Sequence, residues 1–213
     1  WVYASRTKSQ ARFFVTPLKH LDINLVNSFF QNMATTLLIM QDNTQKIIQF
    51  NMHIKNCTVF FEANHKNRRA IEIHFQEDNI LLIEANIIIT NSAFSNHSAK
   101  IGPALWITSS DFYSFKIKDI LVMITGTVFL DNIASKWGGS VVLGNHMQSE
   151  LYNNTFKIIS NQLEDRDASS SIKEIFITTL SSIKIINCSF SVCSTISTSM
   201  SAILFSLKVL GHK

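Results

Sequence analysis

The acidic residues are the side chains of this sequence that most clearly could bind a metal ion or take part in catalysis. Several carboxylates held together can bind Ca²⁺, and two carboxylates flanking one bond can act as acid and base in polysaccharide cleavage. One acidic cluster stands out in the segment NQLEDRDASSS, where Arg166 lies among Glu164, Asp165 and Asp167. We interpret this segment as a solvated loop, with a cation or glycan site as the alternative. We expect residues 162–171 to lie outside the regular structure.

The histidine and serine residues form none of the familiar reactive motifs. No pair of histidines has the spacing of a zinc motif, and the sequence has neither a G-x-S-x-G elbow nor a glycine-rich phosphate loop. His53 and His74 alternate with apolar residues as in a strand, and we place three further histidines in turns, namely His65, His97 and His146. We therefore predict no catalytic residue, no metal site and no cofactor.

The basic residues give the chain a net charge of +4 and an isoelectric point near 9.0. They are scattered, except for one cluster at His65, Lys66, Arg68 and Arg69. Nucleic-acid binding would need such clusters combined with stacking aromatics or a recognisable module, and the sequence has neither. We interpret the cluster as a solvated turn, with an anionic contact as the alternative.

No apolar stretch reaches the roughly 20 residues of a membrane-spanning helix.

The elements that must position these residues emerge when similar segments are aligned. Six segments follow one eight-residue template: INLVNSFF from Ile23, MHIKNCTV from Met52, IIITNSAF from Ile87, VMITGTVF from Val122, SELYNNTF from Ser149 and IKIINCSF from Ile183. The first and third positions are apolar, except for Ser149. A period of two predicts a strand with this face turned inward.

The fifth template position holds only Asn or Gly, residues that tolerate the left-handed backbone conformation. We predict that it forms a stacked bend ladder of Asn27, Asn56, Asn91, Gly126, Asn153 and Asn187. The sixth position is always short and polar, as a tight corner requires: Ser28, Cys57, Ser92, Thr127, Asn154 and Cys188. The eighth position returns a large side chain to the interior, so we predict a buried aromatic ladder of Phe94, Phe129, Phe156 and Phe190.

The spacing of the bends favours a solenoid. Consecutive bends are 27 to 35 residues apart, which is too far for hairpins and too variable for a coiled coil. A small residue followed by an apolar one recurs after four bends, at Ala70-Ile71, Ala104-Leu105, Ser140-Val141 and Ala202-Ile203, so each coil has at least two strands. The period of two disfavours helical repeats, and a leucine-rich repeat would need a run of leucines that is missing. We predict an all-β parallel β-helix.

The segment FLDNIASKWGGSVV, from Phe129 to Val142, resembles a known family. It is similar to the F-x-x-N-x-A and G-G-A-I signature of the polymorphic outer-membrane-protein repeats, with matches at Phe129, Asn132, Ala134, Gly138 and Gly139. The segment from Phe94 to Leu105 keeps part of the signature, with His97 in place of the Asn. The resemblance implies a right-handed parallel β-helix of the pectin-lyase-like class, here with about six coils, and a role in surface display or adhesion.

We divide the chain into two regions. Residues 1–20 are predicted to form an N-terminal cap or a preceding partial coil, and residues 21–213 the β-helix repeats, which we expect to be a fragment of a longer solenoid. A terminal coil exposes unpaired backbone groups. We therefore expect end-to-end self-association through the C-terminal coil.

Two hypotheses for the function follow from this architecture. The first is a non-enzymatic extracellular or cell-surface domain for adhesion, display or scaffolding, with glycans or other surface proteins as partners. The alternative is a carbohydrate-active β-helix, either a polysaccharide lyase or hydrolase or a glycan-binding module. Asp131 is the natural start of a carboxylate cluster, but none of its equivalents in the other coils is acidic: Asn32, Phe61, Asn96, Ile158 and Val192. Glu62 lies one place off and two coils away.

Four N-x-S/T sequons make Asn56, Asn96, Asn153 and Asn187 candidate glycosylation sites and suggest a secretory route. Three of them arise from the repeat, because the bend favours Asn and the position two residues later faces outward.

The three cysteines have a structural explanation. Cys57 and Cys188 share the corner position but lie four coils apart, on the order of 19 Å, which is beyond the reach of a disulfide. Cys193 falls in the coil of Cys188. We interpret all three as unpaired small residues, with a Cys188–Cys193 bridge as the alternative.

Overall fold

The computed structural model describes residues 12–13, 20–32, 35–40, 49–61, 69–75, 84–109, 120–137, 139–144, 147–158, 175–177, 182–192 and 203–205. All regular elements in these ranges are β-strands, and all strand pairs are parallel. Within the same ranges there is no helix with the length and apolar character needed to cross a bilayer. The predicted all-β class is confirmed.

The strands are mostly three to seven residues long and are separated by bends or by longer connections. In chain order they are β1 (Arg12–Phe13), β2 (His20–Val26), β3 (Phe29–Gln31), β4 (Thr35–Met40), β5 (Gln49–Lys55), β6 (Thr58–Phe60), β7 (Arg69–Phe75), β8 (Glu84–Thr90), β9 (Ala93–Ser95), β10 (Ser98–Ile101), β11 (Leu105–Ser109), β12 (Ile120–Thr125), β13 (Val128–Leu130), β14 (Ile133–Trp137), β15 (Val141–Leu143), β16 (Met147–Tyr152), β17 (Thr155–Ile158), β18 (Ile175–Ile177), β19 (Ser182–Ile186), β20 (Ser189–Val192) and β21 (Ile203–Phe205).

The strands form three large sheets. The first sheet contains the strands before the bends, in the order β2, β5, β8, β12, β16 and β19, and the second sheet contains the short strands after them, in the order β3, β6, β9, β13, β17 and β20. The third sheet runs β1, β4, β7, β11, β15, β18 and β21, and β10 pairs with β14 in a small sheet. Strands that follow one another in sequence join different sheets, whereas neighbours within a sheet come from successive repeats. This arrangement is consistent with a β-solenoid.

The register of the sheets brings equivalent template positions side by side. In the first sheet Met52 pairs with Ile87, and Ile87 pairs with Val122. In the third sheet Ile71 pairs with Leu105, and Leu105 pairs with Val141, so the small-then-apolar column of the sequence is a strand column. Three strands of the third sheet were not predicted from this column, namely β4, β18 and β1, which lies in the region predicted as a cap or a preceding partial coil.

The core lies between the inward faces of these sheets. Side chains alternate between buried and outward along β5, β8 and β12, as a period of two predicts. The most deeply buried large side chains are Phe50, Phe94, Phe129, Phe156, Met52, Ile54, Ile71 and Ile73. The core is therefore continuous from one repeat to the next.

The predicted aromatic ladder runs through the second sheet. The rings of Phe94 and Phe129 stack with centroids 5.5 Å apart, those of Phe129 and Phe156 at 4.7 Å, and those of Phe156 and Phe190 at 4.9 Å. The first three side chains are fully buried, but Phe190 is only partly buried because β20 is the last described strand of its sheet. The prediction is confirmed except for the burial of Phe190.

Several predictions concern residues outside the described ranges. They include most of the proposed N-terminal region, residues 1–20, the whole loop at residues 162–171, and the side chains of Glu62, His65, His146 and Cys193.

Candidate functional site

The six bend residues adopt the left-handed backbone expected of Asn and Gly. Their φ angles lie between 49° and 59° at Asn27, Asn56, Asn91, Gly126, Asn153 and Asn187. The Nδ2 of Asn56 donates to the Oδ1 of Asn27 at 3.0 Å, which links the side chains of two successive bends. A Cβ on Gly126 would lie 2.6 Å from the Oδ1 of Asn91, so the Asn91 side chain leans over the glycine.

The corner residues that follow the bends have their polar groups engaged by the backbone. Five of them donate to the carbonyl two residues earlier, at 2.9 to 3.6 Å: Ser28, Cys57, Ser92, Thr127 and Cys188. Asn154 instead bridges to the preceding repeat. Its Nδ2 donates to the Ile124 carbonyl at 2.8 Å, and its Oδ1 accepts from the Thr127 N–H at 2.9 Å. These side chains hold the corners and are not free for chemistry.

A second bend lies five residues after the first. Asn32, Asn96 and Asp131 have φ angles of 57°, 59° and 52° there. Asp131 is the residue considered above as the start of a carboxylate cluster. This second bend was not predicted, although Asn or Asp at the same position in three repeats is a signal for it. Asp131 is half-buried and its equivalents in the described residues are not acidic. This position therefore brings no carboxylates together.

The strongest candidate for a functional site is a charged cluster on the outward face of the third sheet, across β7 and β11. We call it the Trp106 cluster and define it as Arg69, Glu72, His74, Trp106 and Thr108. Register places it, because Trp106 pairs with Glu72 and Thr108 pairs with His74. Inward neighbours Ile71 and Ile73 are buried, so the strand period turns the polar side chains outward.

Hydrogen bonds and ring contacts connect all five members of the Trp106 cluster. Arg69 Nη1 donates to one Glu72 oxygen at 3.0 Å, and His74 Nε2 contacts the other at 2.7 Å. His74 Nδ1 lies 2.8 Å from the Thr108 hydroxyl. The Arg69 guanidinium lies 4.0 Å above the Trp106 ring, and the His74 ring meets the same ring edge-on at 4.5 Å. Arg69 is anchored further by its Nε, which donates to the Ile101 carbonyl at 2.9 Å.

Two glycines allow the backbone to approach the cluster closely. Gly102 has a φ of 49°, and a Cβ there would lie 2.9 Å from the Leu105 carbonyl oxygen and 3.1 Å from the Trp106 Cβ. A Cβ on Gly144 would lie 2.7 Å from the Thr108 Cα. A larger residue at either position would displace the strand that carries Trp106 and Thr108.

The electrostatics of the cluster keep Glu72 ionised. Burial acts to raise the pKa of Glu72, but the hydrogen bond from His74 and the positive charge of Arg69 outweigh it, and the pKa is lowered. Both carboxylate oxygens are already bonded. Because polysaccharide cleavage by an acid and a base requires two carboxyl groups, this single carboxylate does not form such a pair with another member of the cluster.

The outward face of the first sheet carries a second polar network near β2, β5 and β8. His20 contacts Asp22 at 2.6 Å and Gln49 at 2.9 Å. Asn51 donates to Asp22 at 2.8 Å, and Asn86 donates to Asn51 at 3.1 Å. The hydrogen bonds to Asp22 and Gln49 raise the pKa of His20, and those from Asn51 and His20 lower the pKa of Asp22. This face is rich in amides, and it is more exposed than the Trp106 cluster.

The structure separates the four sequons by exposure. Asn56, Asn153 and Asn187 are exposed at the first bend, whereas Asn96 is half-buried at the second bend.

Cys57 is a buried free thiol and Cys188 a half-buried one, each donating to backbone carbonyls. His53 is exposed, and Arg69 is the one member of the basic cluster that lies within the described residues.

Within the described ranges, no three His, Cys, Asp or Glu side chains are grouped so that they could hold a metal ion. The Trp106 cluster was not predicted, because Arg69 was interpreted as part of a solvated turn, whereas it begins β7, the strand that also carries His74. Trp106 and Thr108 join them through the register between β7 and β11. Comparisons with protein-family models, with curated proteins and with solved structures found no match.

Proposed function

We propose that this chain forms a right-handed parallel β-helix of about six coils, similar to the polymorphic outer-membrane-protein repeats, and acts as a non-enzymatic extracellular or cell-surface domain in adhesion, display or scaffolding. The observation that carries the proposal is the repetition of one bend and corner from Asn27 to Asn187, over six strands in each of two sheets. Such a stack produces a stiff, elongated surface whose side chains repeat at about 4.8 Å.

The distribution of polar groups supports a non-enzymatic role. In the described residues, the corner side chains bond to the backbone, and the Trp106 cluster has a single carboxylate with both oxygens engaged. The exposure of Asn56, Asn153 and Asn187 supports an extracellular setting, because each belongs to a sequon and can carry a glycan at a bend that faces solvent.

The glycan-binding form of the alternative is favoured by one observation. Trp106 is a half-buried aromatic side chain on an outward face, held between Arg69 and His74. A rigid aromatic ring with polar neighbours is a common feature of ligand-binding sites. The two roles are compatible, since an adhesion domain can attach through a glycan.

Antibody labelling of the source cells tests the proposed location. We expect an antibody against this domain to label intact cells. Labelling that appears only after the membrane is permeabilised would overturn the surface role.

Incubation of the purified domain with neutral, carboxylated and sulfated polysaccharides tests the activity. We expect no change in chain length, and any shortening would overturn the non-enzymatic proposal. Retention of a polysaccharide that is lost in Trp106→Ala but kept in Phe29→Ala would establish glycan binding at the cluster. Phe29 is a suitable control because it is an exposed aromatic residue, 63% accessible, away from the cluster.

A further inference from the structure

Each buried asparagine at a corner of this fold acts as both donor and acceptor. Asn132, which follows the second bend, donates from Nδ2 to the Phe94 carbonyl at 2.9 Å and accepts the His97 N–H at 3.1 Å. Asn154 makes the same pair of bonds after the first bend. Both asparagines are 1% exposed or less. In the slot directly after the second bend, Asn132 therefore acts as a planar group with a donor at one end and an acceptor at the other.

His97 occupies the slot equivalent to Asn132 in the preceding repeat. Its side chain is 1% exposed, and its Nε2 lies 3.3 Å from the Val59 carbonyl, in the role that Nδ2 has in Asn132. A carbonyl accepts but cannot donate, so Nε2 carries the proton and Nδ1 is the acceptor end of the ring. Nδ1 has no hydrogen-bond partner in the described part of the chain.

No charged group compensates for a proton on this ring in the described residues. The charged residues nearest in sequence among the described side chains are Lys100 on β10 and Asp131 at the next second bend, and the ion pairs found in the described residues do not include His97. The equivalent position in the preceding repeat is Glu62, which lies outside the described residues. Burial lowers the pKa of His97 to about 4, and the Val59 hydrogen bond offsets only part of that effect.

We propose that His97 is an acid-sensitive switch, which opens the second bend of its repeat when Nδ1 takes up a proton from solvent. Protonation turns the acceptor end of the ring into a donor and adds a positive charge, in a slot that provides neither an acceptor for that proton nor a counter-charge among the described residues. The open bend exposes the imidazolium to water and releases the bonds that His97 makes through its own backbone. These are the His97 N–H to Asn132 and the Ile133 N–H to the His97 carbonyl, at 3.1 and 2.8 Å.

Hydrogen exchange measured by NMR between about pH 7 and about pH 4 tests the switch. With a pKa of 6.5 in the open bend and about 4 in the closed bend, the opening equilibrium increases about 100-fold between pH 7 and pH 4. We expect the protection factors of the His97 and Ile133 amides to fall by up to the same factor. The internal control is the Thr127 amide, which is bonded to Asn154 at the first bend. Its protection factor should fall less on acidification than those of His97 and Ile133.

The matched variant is His97→Asn, which restores the side chain that Asn132 has in the next repeat, and His97→Gln is the second variant if the first does not fold. We expect either variant to lose most of the acid-dependent fall in protection at Ile133. His53→Asn, which changes an exposed histidine, should behave like the unmodified chain. Equal acid sensitivity in His97→Asn and the unmodified chain would overturn the proposal, as would an imidazole that keeps the Nε2–H form and a closed bend below about pH 4.

Discussion

Ser149 occupies the first template position, where the other repeats carry Ile, Met or Val. It pairs with Val122 and Ile183 in the first sheet, is 3% exposed, and its Oγ has no partner among the described residues. Ser92, by contrast, is a buried corner serine whose Oγ accepts the Cys57 N–H and donates to the Thr90 carbonyl. At the scale of the residue, the serine hydroxyl therefore stabilises the fold at Ser92 and destabilises it at Ser149.

We predict that Ser149→Ala raises the free energy of unfolding by about 1 kcal/mol, because it removes a buried hydroxyl without a partner. The control Ser92→Ala should lower it by about 1 to 2 kcal/mol, because it leaves the Cys57 N–H without an acceptor. Urea unfolding measures both changes. A loss of stability in Ser149→Ala equal to that in Ser92→Ala would contradict the prediction.

The bend at Gly126 gives a second prediction at this scale. Gly126→Ala should cost about 1 to 2 kcal/mol, because it places a Cβ in the left-handed region. Gly126→Asn should cost less, because Asn tolerates that region and its Nδ2 can bond to the Asn91 side chain as Asn56 bonds to Asn27. Thermal unfolding of the two variants provides the measurement. The prediction fails if Gly126→Asn is as unstable as Gly126→Ala.

At the scale of the element, each strand is stabilised mainly by its equivalents in the neighbouring repeats. The short strand β13 shows this, because it pairs with β9 on one side and β17 on the other, and its central residue Phe129 stacks between Phe94 and Phe156. A three-residue strand has little stability by itself. Its position depends on the two rings that pack against Phe129.

Truncation of the aromatic ladder should therefore depend on position. We predict that Phe129→Ala lowers the free energy of unfolding by about 3 to 5 kcal/mol, because it leaves a cavity in the core. Phe190→Ala should cost clearly less, since Phe190 is partly buried and stacks on one described ring, that of Phe156. Urea unfolding with circular dichroism gives both values. Equal losses in the two variants would show that the end of the ladder is packed like its middle.

At the scale of the whole molecule, acidification should destabilise the fold through several groups at once. Glu72 and His97 lie in different parts of the structure, but the pKa of each is lowered by folding. In both cases the unfolded chain binds protons at a higher pH than the folded one, so the free energy of unfolding falls as the pH falls. Acidification therefore lowers the free energy of unfolding through both the Trp106 cluster and the second bend that contains His97.

Replacing Glu72 tests the contribution of the Trp106 cluster. We predict that Glu72→Gln is less stable than the unmodified chain near pH 7, because it removes the charge that pairs with Arg69. The difference should shrink as the pH falls through the lowered pKa of Glu72, where the native carboxylate is protonated as well. Urea unfolding at several pH values measures it, with Glu84→Gln on an exposed face as the control. A difference that stays constant with pH would contradict the prediction.

The sequence by itself determined the features that are encoded within a few neighbouring residues. The bends at Asn91 and Asn187 follow from a local rule, because Asn tolerates a positive φ that most residues avoid. The inward face of β8 follows from a period of two, and the Phe129 ladder follows once the templates are aligned. These properties need no knowledge of where the rest of the chain lies.

Only the tertiary structure decided which side chains meet between repeats. Arg69 bonds to the Ile101 carbonyl and stacks on Trp106, and His97 reaches Val59, in each case across more than 30 residues. The connections between bends differ in length, so the spacing of the bends does not show where β4 and β18 pair in the third sheet. The strand β18 shows the same limit, since three apolar residues have no periodicity of their own and become a strand by pairing with β15 and β21. Register is set by the packing and hydrogen bonding of whole repeats, which is a property of the folded molecule.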